Sequence, residues 1–146
     1  VQRATVTSVD EKAREFLSRW HAVVRSRDLE GLRDLLANDV RLGAPPYWDK
    51  LEGKDLIHHL LGVIVTTIDG FTYHREWVSG SELALEFRGR VGEFELQGVD
   101  LITLDDEGRV RNLDALIRPL NTLTLLRDRV APRMQAYLEG LSRRKT

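Results

Sequence analysis

The order of apolar patterns predicts an α+β fold, with helices first, a run of antiparallel strands next and a closing helix. Three patterns carry this reading. Val9, Ala13, Phe16, Leu17, Trp20, Val23 and Val24 recur at helical spacing. From Phe71 to Ile117 apolar and polar residues alternate in short runs broken by glycine-bearing turns. After Arg118-Pro119 the helical spacing returns. Helices and strands that keep to separate stretches of chain define α+β rather than a doubly wound sheet.

Ser8 with Glu11 reads as a capping box that opens the first helix. Asp28 is the expected N-cap of a short second helix carrying Leu29, Leu32, Leu35 and Leu36 and stopping near Asn38. Val40 and Leu42 predict a short strand, which runs into the loop Gly43-Ala44-Pro45-Pro46-Tyr47-Trp48. Gly53-Lys54-Asp55 leads into a third helix with Ile57, Leu60, Leu61 and Ile64 on one side, and Gly70 closes that region. Strands follow over 71–78, with Leu83, Leu85 and Phe87 facing one way and Glu82, Glu86 and Arg88 the other in the next. A turn over Gly89 to Gly92 precedes a long strand, 93–104, that carries Phe94, Leu96, Asp100 and Ile102 inward. The last strand, 109–117, is apolar on both faces near its end, as if helices cover one face and a second subunit the other. A final helix starts near Asn121. Pro132 is expected to kink or restart it, with Met134, Leu138 and Leu141 packing its last part down.

The chain has 146 residues, reads as a single domain over 1–146, and is long enough to bury a core. Its net charge of -1 gives no electrostatic case for nucleic acid or an acidic membrane. With no cysteine, disulfides, thiol catalysis and zinc–thiolate sites are excluded. No signal-like pattern or membrane-length apolar run is seen, and a cytoplasmic location is expected.

Gly98-Val99-Asp100-Leu101-Ile102-Thr103-Leu104 and Arg109 to Ile117, joined by Asp105-Asp106-Glu107-Gly108, read as a hairpin. Asp100 is its odd residue. Leu96, Gly98, Ile102 and Leu104 share its face, and a carboxylate there is costly unless paired or protonated. Such an acid should have a raised pKa, suited to moving a proton at neutral pH. The bland alternative is a carboxylate bonded to Trp20 or to the backbone, or a residue left from an ancestral site.

Asp28-Leu29-Glu30-Gly31-Leu32, Leu51-Glu52-Gly53-Lys54-Asp55-Leu56-Ile57 and Gly98 to Arg118 with its Arg-Pro-Leu ending resemble, in order and spacing, the nuclear transport factor 2-like superfamily. That superfamily includes the SnoaL-like polyketide cyclases and the ketosteroid isomerases. The resemblance implies a cone: a curved antiparallel sheet wrapped around N-terminal helices, with a C-terminal helix and a hydrophobic pocket inside. Members use the pocket for different chemistries or for binding, so fold leaves function open. Compared with the isomerases, whose worked mechanism uses a general-base Asp plus a Tyr and a protonated Asp as donors, Asp100 matches the protonated Asp. Trp20, Ala44 and Leu61 stand where the oxyanion Tyr, the base and a supporting Tyr would be. The limonene-type epoxide hydrolase pattern fails too, with Gly98 in place of an Arg and Ala115 in place of a second acid. The SnoaL-like pattern remains, in which one buried acid serves as acid and base.

The sequence thus predicts a pocket for a small hydrophobic cyclic or polyketide-like molecule. Asp100 is the candidate acid/base. Trp20, Leu42, Leu61, Leu85 and Ala115 are the walls, and Tyr47 and Trp48 the mouth or, equally, an oligomer contact. No cofactor and no metal are expected, and a homodimer is. The alternative is a non-catalytic ligand-binding or dimeric interaction module. His21 follows Trp20 and points about 100° away around the helix. His58 and His59 are adjacent, the wrong spacing for joint metal binding. Asp105-Asp106-Glu107-Gly108 lacks the spacing of a calcium loop, Ser79-Gly80-Ser81 lacks a nucleophile context, and Arg118 is expected in an ion pair at the sheet edge.

Overall fold

A computed structural model describes the backbone of residues 2–145 and the side chains of residues 11–144. The elements run α1 (Gln2–Ser26), α2 (Leu29–Asp34), β1 (Leu36–Gly43), β2 (Leu51–Glu52), α3 (Lys54–Thr67), β3 (Asp69–Ser79), β4 (Glu82–Val91), β5 (Phe94–Leu104), β6 (Val110–Arg118) and α4 (Leu120–Lys145). The strands form one curved, open sheet in the order β2-β1-β6-β5-β4-β3. β3 to β6 pair as an antiparallel meander, whereas β1 runs parallel to β6. The sheet is therefore mixed, and α3 belongs to the long connection from β1 to β6 that their parallel pairing requires.

Helix α1 buries Ala13, Phe16 and Trp20, spaced three and four residues apart on one face. It begins upstream of Ser8, because Gln2 to Thr7 contain neither glycine nor proline. Ser8 therefore sits inside the helix rather than at its cap, and its side chain lies outside the described residues. Asp28 does cap α2, its Oδ1 accepting from the Gly31 amide at 3.0 Å. That helix stops at Asp34, short of Asn38, because Leu36 already pairs with Val110 in the sheet.

The inner face of the sheet holds Val40, Leu42, Leu83, Leu85, Ile102 and Leu113 in one core with Phe16 and Trp20 of α1 and Ile57 and Leu60 of α3. A smaller cluster at the end of the sheet joins Ile68, Phe87, Val91 and Leu96 to Leu126 of α4. Phe94, expected inside, is half exposed because it opens β5 at the sheet's margin. The β4–β5 turn is Gly92-Glu93, with Gly92 at φ +61°. Gly89, expected within that turn, instead lies in β4 where a Cβ would come within 2.4 Å of Ile68. Helix α4 runs on through Pro132 without a fresh start. Asp128, whose carbonyl loses its usual amide partner there, is exposed and open to hydration.

On the outer face Glu86 is fully buried beneath its own partners. Arg75, Gln97 and Arg88 all bond its carboxylate, and the Arg75 bond leads in holding the group down at about 2. Arg118, expected in an ion pair, donates instead to Gln97 Oε1 at 3.1 Å.

Gly98 has no room for a side chain: a Cβ would lie 2.2 Å from Phe87 Cζ and 2.7 Å from the Leu116 carbonyl. Gly98→Ala is expected to lower stability by about 1–3 kcal/mol through overpacking, read as a lower urea midpoint. An unchanged midpoint would contradict the tight Phe87 contact.

Candidate functional site

Register sets the centre of the site. Leu85 pairs with Asp100 and Asp100 with Ala115, so the three lie side by side across β4, β5 and β6. On the neighbouring row Phe87 sits between Tyr73 and Gly98. The bare Gly98 lets the Phe87 ring lie over β5, stacked on Phe71 at 4.8 Å. Tyr73, edge-on to both rings, reaches past them to Asp100.

The Tyr73 hydroxyl donates to Asp100 Oδ2 at 2.8 Å and accepts from Trp20 Nε1 at 2.9 Å. Indole nitrogen can only donate, so the direction of the chain is fixed from Trp20 through Tyr73 to Asp100. Trp20 is thus tied to the acid through Tyr73, not by the direct bond that was one of the bland alternatives. Among the described residues Tyr73 is the sole partner of the Asp100 carboxyl, which leaves Oδ1 without one.

Burial pushes Asp100 up to about 7, against the lowering effect of the Tyr73 bond. Burial, and then the nearby Asp100 charge, hold the Tyr73 phenol well above its ordinary value. At neutral pH the pair therefore carries a neutral phenol beside an acid present in both protonation states.

Asp100 and Tyr73 open into a cavity of about 690 Å³ with a mostly apolar lining. Trp20, Leu42, Leu61 and Ala115 stand in its wall, together with Ala44, and Tyr47 and Trp48 stand at its rim. Trp48 is 94% exposed and Tyr47 61%, as either a mouth or an oligomer contact would require. Leu85 does not line the cavity. Although it adjoins Asp100 in register, it is fully buried in the core with Phe16 and Ile102. The α4 residues Leu126, Val130 and Met134 close the side facing the sheet's end, a contribution the sequence reading did not assign.

Tyr73 is the residue that the sequence reading missed. Its signal was present: Phe71 and Tyr73 share one parity on a strand, and Asp100 needed a donor. The register shift between Tyr73 and Glu76 breaks the alternation beyond and hides it. The other candidates separate. His21 bonds Glu76 at 3.0 Å, His58 faces the Leu29 carbonyl, and His59 stacks on Tyr137 at 3.9 Å. Among the described residues no cluster of His, Asp and Glu side chains could hold a metal ion, and no helix is long and apolar enough to cross a membrane.

Element order and sheet define an α+β cone of the nuclear transport factor 2-like class. The SnoaL-like domain model matches residues 17–113, and the chain belongs to that family. Among solved structures, a steroid delta-isomerase from Pseudomonas aeruginosa is 35% identical, with a TM-score of 0.82 over 88% of this chain and 95% of that one. An uncharacterised bacterial protein of cystatin-like fold from Silicibacter pomeroyi DSS-3 is 34% identical, with a TM-score of 0.82 over 89% and 92%. A nuclear transport factor 2-like protein of unknown function from Mesorhizobium loti, at 21% identity and a TM-score of 0.65 over 75% and 93%, shares the fold. No curated protein matches the chain.

Asp100 binds its proton more tightly folded than unfolded, since its value rises from 3.8 to about 7. The stability it contributes is therefore full below about pH 4 and is lost as pH climbs toward 7. Relative to Asp100→Asn, the wild type is expected to lose about 2–3 kcal/mol between pH 5 and pH 8 in urea unfolding. A pH-independent difference between the two proteins would contradict the raised value.

Proposed function

We propose that this protein takes a small hydrophobic cyclic or polyketide-like molecule into the cavity and that Asp100 performs acid/base chemistry on it there. The observation that carries this reading is a single acid, held by one phenol, with Oδ1 left unpartnered beside an apolar cavity of about 690 Å³. That volume lies within the range of small-molecule sites. The steroid delta-isomerase at 35% identity adds support for isomerase-type chemistry.

In this reading Asp100 Oδ1 removes a proton from a carbon next to a carbonyl and returns it elsewhere on the delocalised anion, so that no atoms are gained or lost. Tyr73 holds the carboxyl still and Trp20 fixes the direction of the phenol's hydrogen bond; both are positioning residues. Ala44 cannot take a proton, so a second base at that point has no part in the mechanism. The cytoplasm is the proposed location.

Native mass spectrometry of the purified protein and of Asp100→Ala tests ligand occupancy. A retained apolar adduct that weakens in the variant is the expected result, and a bare protein in both would turn the reading toward a non-catalytic interaction module. Once a substrate is in hand, Asp100→Asn is expected to abolish turnover. Tyr73→Phe should move the pH profile to higher pH, because it removes the bond that lowers Asp100.

We also propose that a second copy covers the outer face of the sheet. Trp77, Leu101 and Leu116 are 51%, 43% and 55% exposed there. Pairing puts Glu82 toward one end of that face and Arg88 and Arg118 toward the other. A two-fold axis through the apolar middle would set acids against bases. Sedimentation is expected to show a dimer that Leu101→Lys with Leu116→Lys dissociates. A wild-type monomer would overturn this.

A further inference from the structure

The polar groups in the cavity wall are few and unevenly placed. Inside stand Trp20, Tyr73 and Asp100, already bonded to one another. Asp49 lies in the loop after Trp48, and Arg127 and Gln135 lie on α4. Arg127, Ala131 and Gln135 follow one another at four-residue spacing and so form one row along the helix. The neighbouring helix face is committed elsewhere: Arg133 donates to Thr67 Oγ1 and Tyr137 stacks on His59, both on α3. The Arg127 row is left facing the cavity.

Arg127 is the single cationic side chain among the cavity's lining residues. Its Nε and Nη2 both contact one oxygen of Asp128, its neighbour in sequence, at 3.3 and 3.2 Å. Among the described residues Nη1 has no partner. The side chain is 45% exposed, so it stands where the cavity meets water.

From this arrangement we infer that the cavity's ligand is an amphiphile with a carboxylate or similar anionic group, bound with that group at Arg127 and its neutral end toward Asp100. The inference rests on the reading of the cavity as a ligand site and adds to it a ligand class and an orientation. Two opposing constraints give the direction. An anion carried inward would lose its water among apolar side chains and meet a second acid in Asp100, with no cation to offset either cost. An anion left at Arg127 keeps part of its hydration and gains a charge-assisted bond from a guanidinium whose free edge is available. The apolar body then fills the space between, and its inner end presents a carbonyl or hydroxyl oxygen to the acid.

The test measures binding of three probes that share one apolar body: naphthylhexanoate, naphthylhexanamide and naphthylhexylamine. Titrations follow Trp fluorescence at pH 8, above the value near which Asp100 titrates. The carboxylate is expected to bind at least about fivefold tighter than the amide, a preference that Arg127→Gln removes and added salt reduces. Asp100→Asn should leave that preference in place. Equal binding of carboxylate and amide, or a preference that survives Arg127→Gln, overturns the inference and leaves the cavity reading intact. Tighter binding of the amine overturns it in favour of a cation held by Asp100. Failure of all three probes to bind overturns the inference together with the cavity reading on which it rests.

Discussion

A carboxyl group inside an apolar cavity has lost the water that would solvate its charge, and only donors supplied by the fold can replace it. Here the replacement is a single phenol. Tyr73 donates to Asp100 Oδ2, while Trp20 donates to the same phenol oxygen. One bond is too little to offset burial fully, and the acid is left at about 7. A richer set of donors would have fixed the carboxylate in its charged form, and none would have kept it neutral well above neutral pH. The modest hydrogen bonding of this group is what leaves it able to exchange a proton.

Much of the surrounding structure depends on bringing those three residues together from α1, β3 and β5. Phe87 lies between the strands that carry Tyr73 and Asp100, and it has space because Gly98 has no side chain. In the resemblance to the epoxide hydrolases, the same glycine stands where that chemistry would need an arginine. Its presence is a packing requirement as much as a departure from that chemistry. Ala44, Leu61 and Ala115 add only apolar wall, so the cavity concentrates its inner polarity in one acid and its two helpers.

The apolar periodicities were sufficient to find the helices and the meander, because helical and strand spacing are properties of consecutive residues. Boundaries were less legible where a distant pairing decided them. α2 gave up its last turn to the pairing of Leu36 with Val110, and Gly89 was drawn from a turn into a strand by its pairing with Leu96. Leu85 shows the same limit at the site. Its parity puts it on the inner face, yet the depth at which it lies is set by α1 packing above it.

The sequence by itself determined an acid on an apolar strand face, its raised pKa and the family to which the chain belongs. The first two follow from residue type and spacing along the chain, and the third from the resemblance of three of its segments to that superfamily. Tertiary structure alone decided that Tyr73 would meet that acid, that Trp20 would act through the phenol, and that Arg127 would stand at the cavity's edge. Those groups are separated from Asp100 by 27 to 80 positions in the sequence. Only the curvature of the sheet and the path of α4 bring them to one cavity, and no local pattern encodes a distance across it.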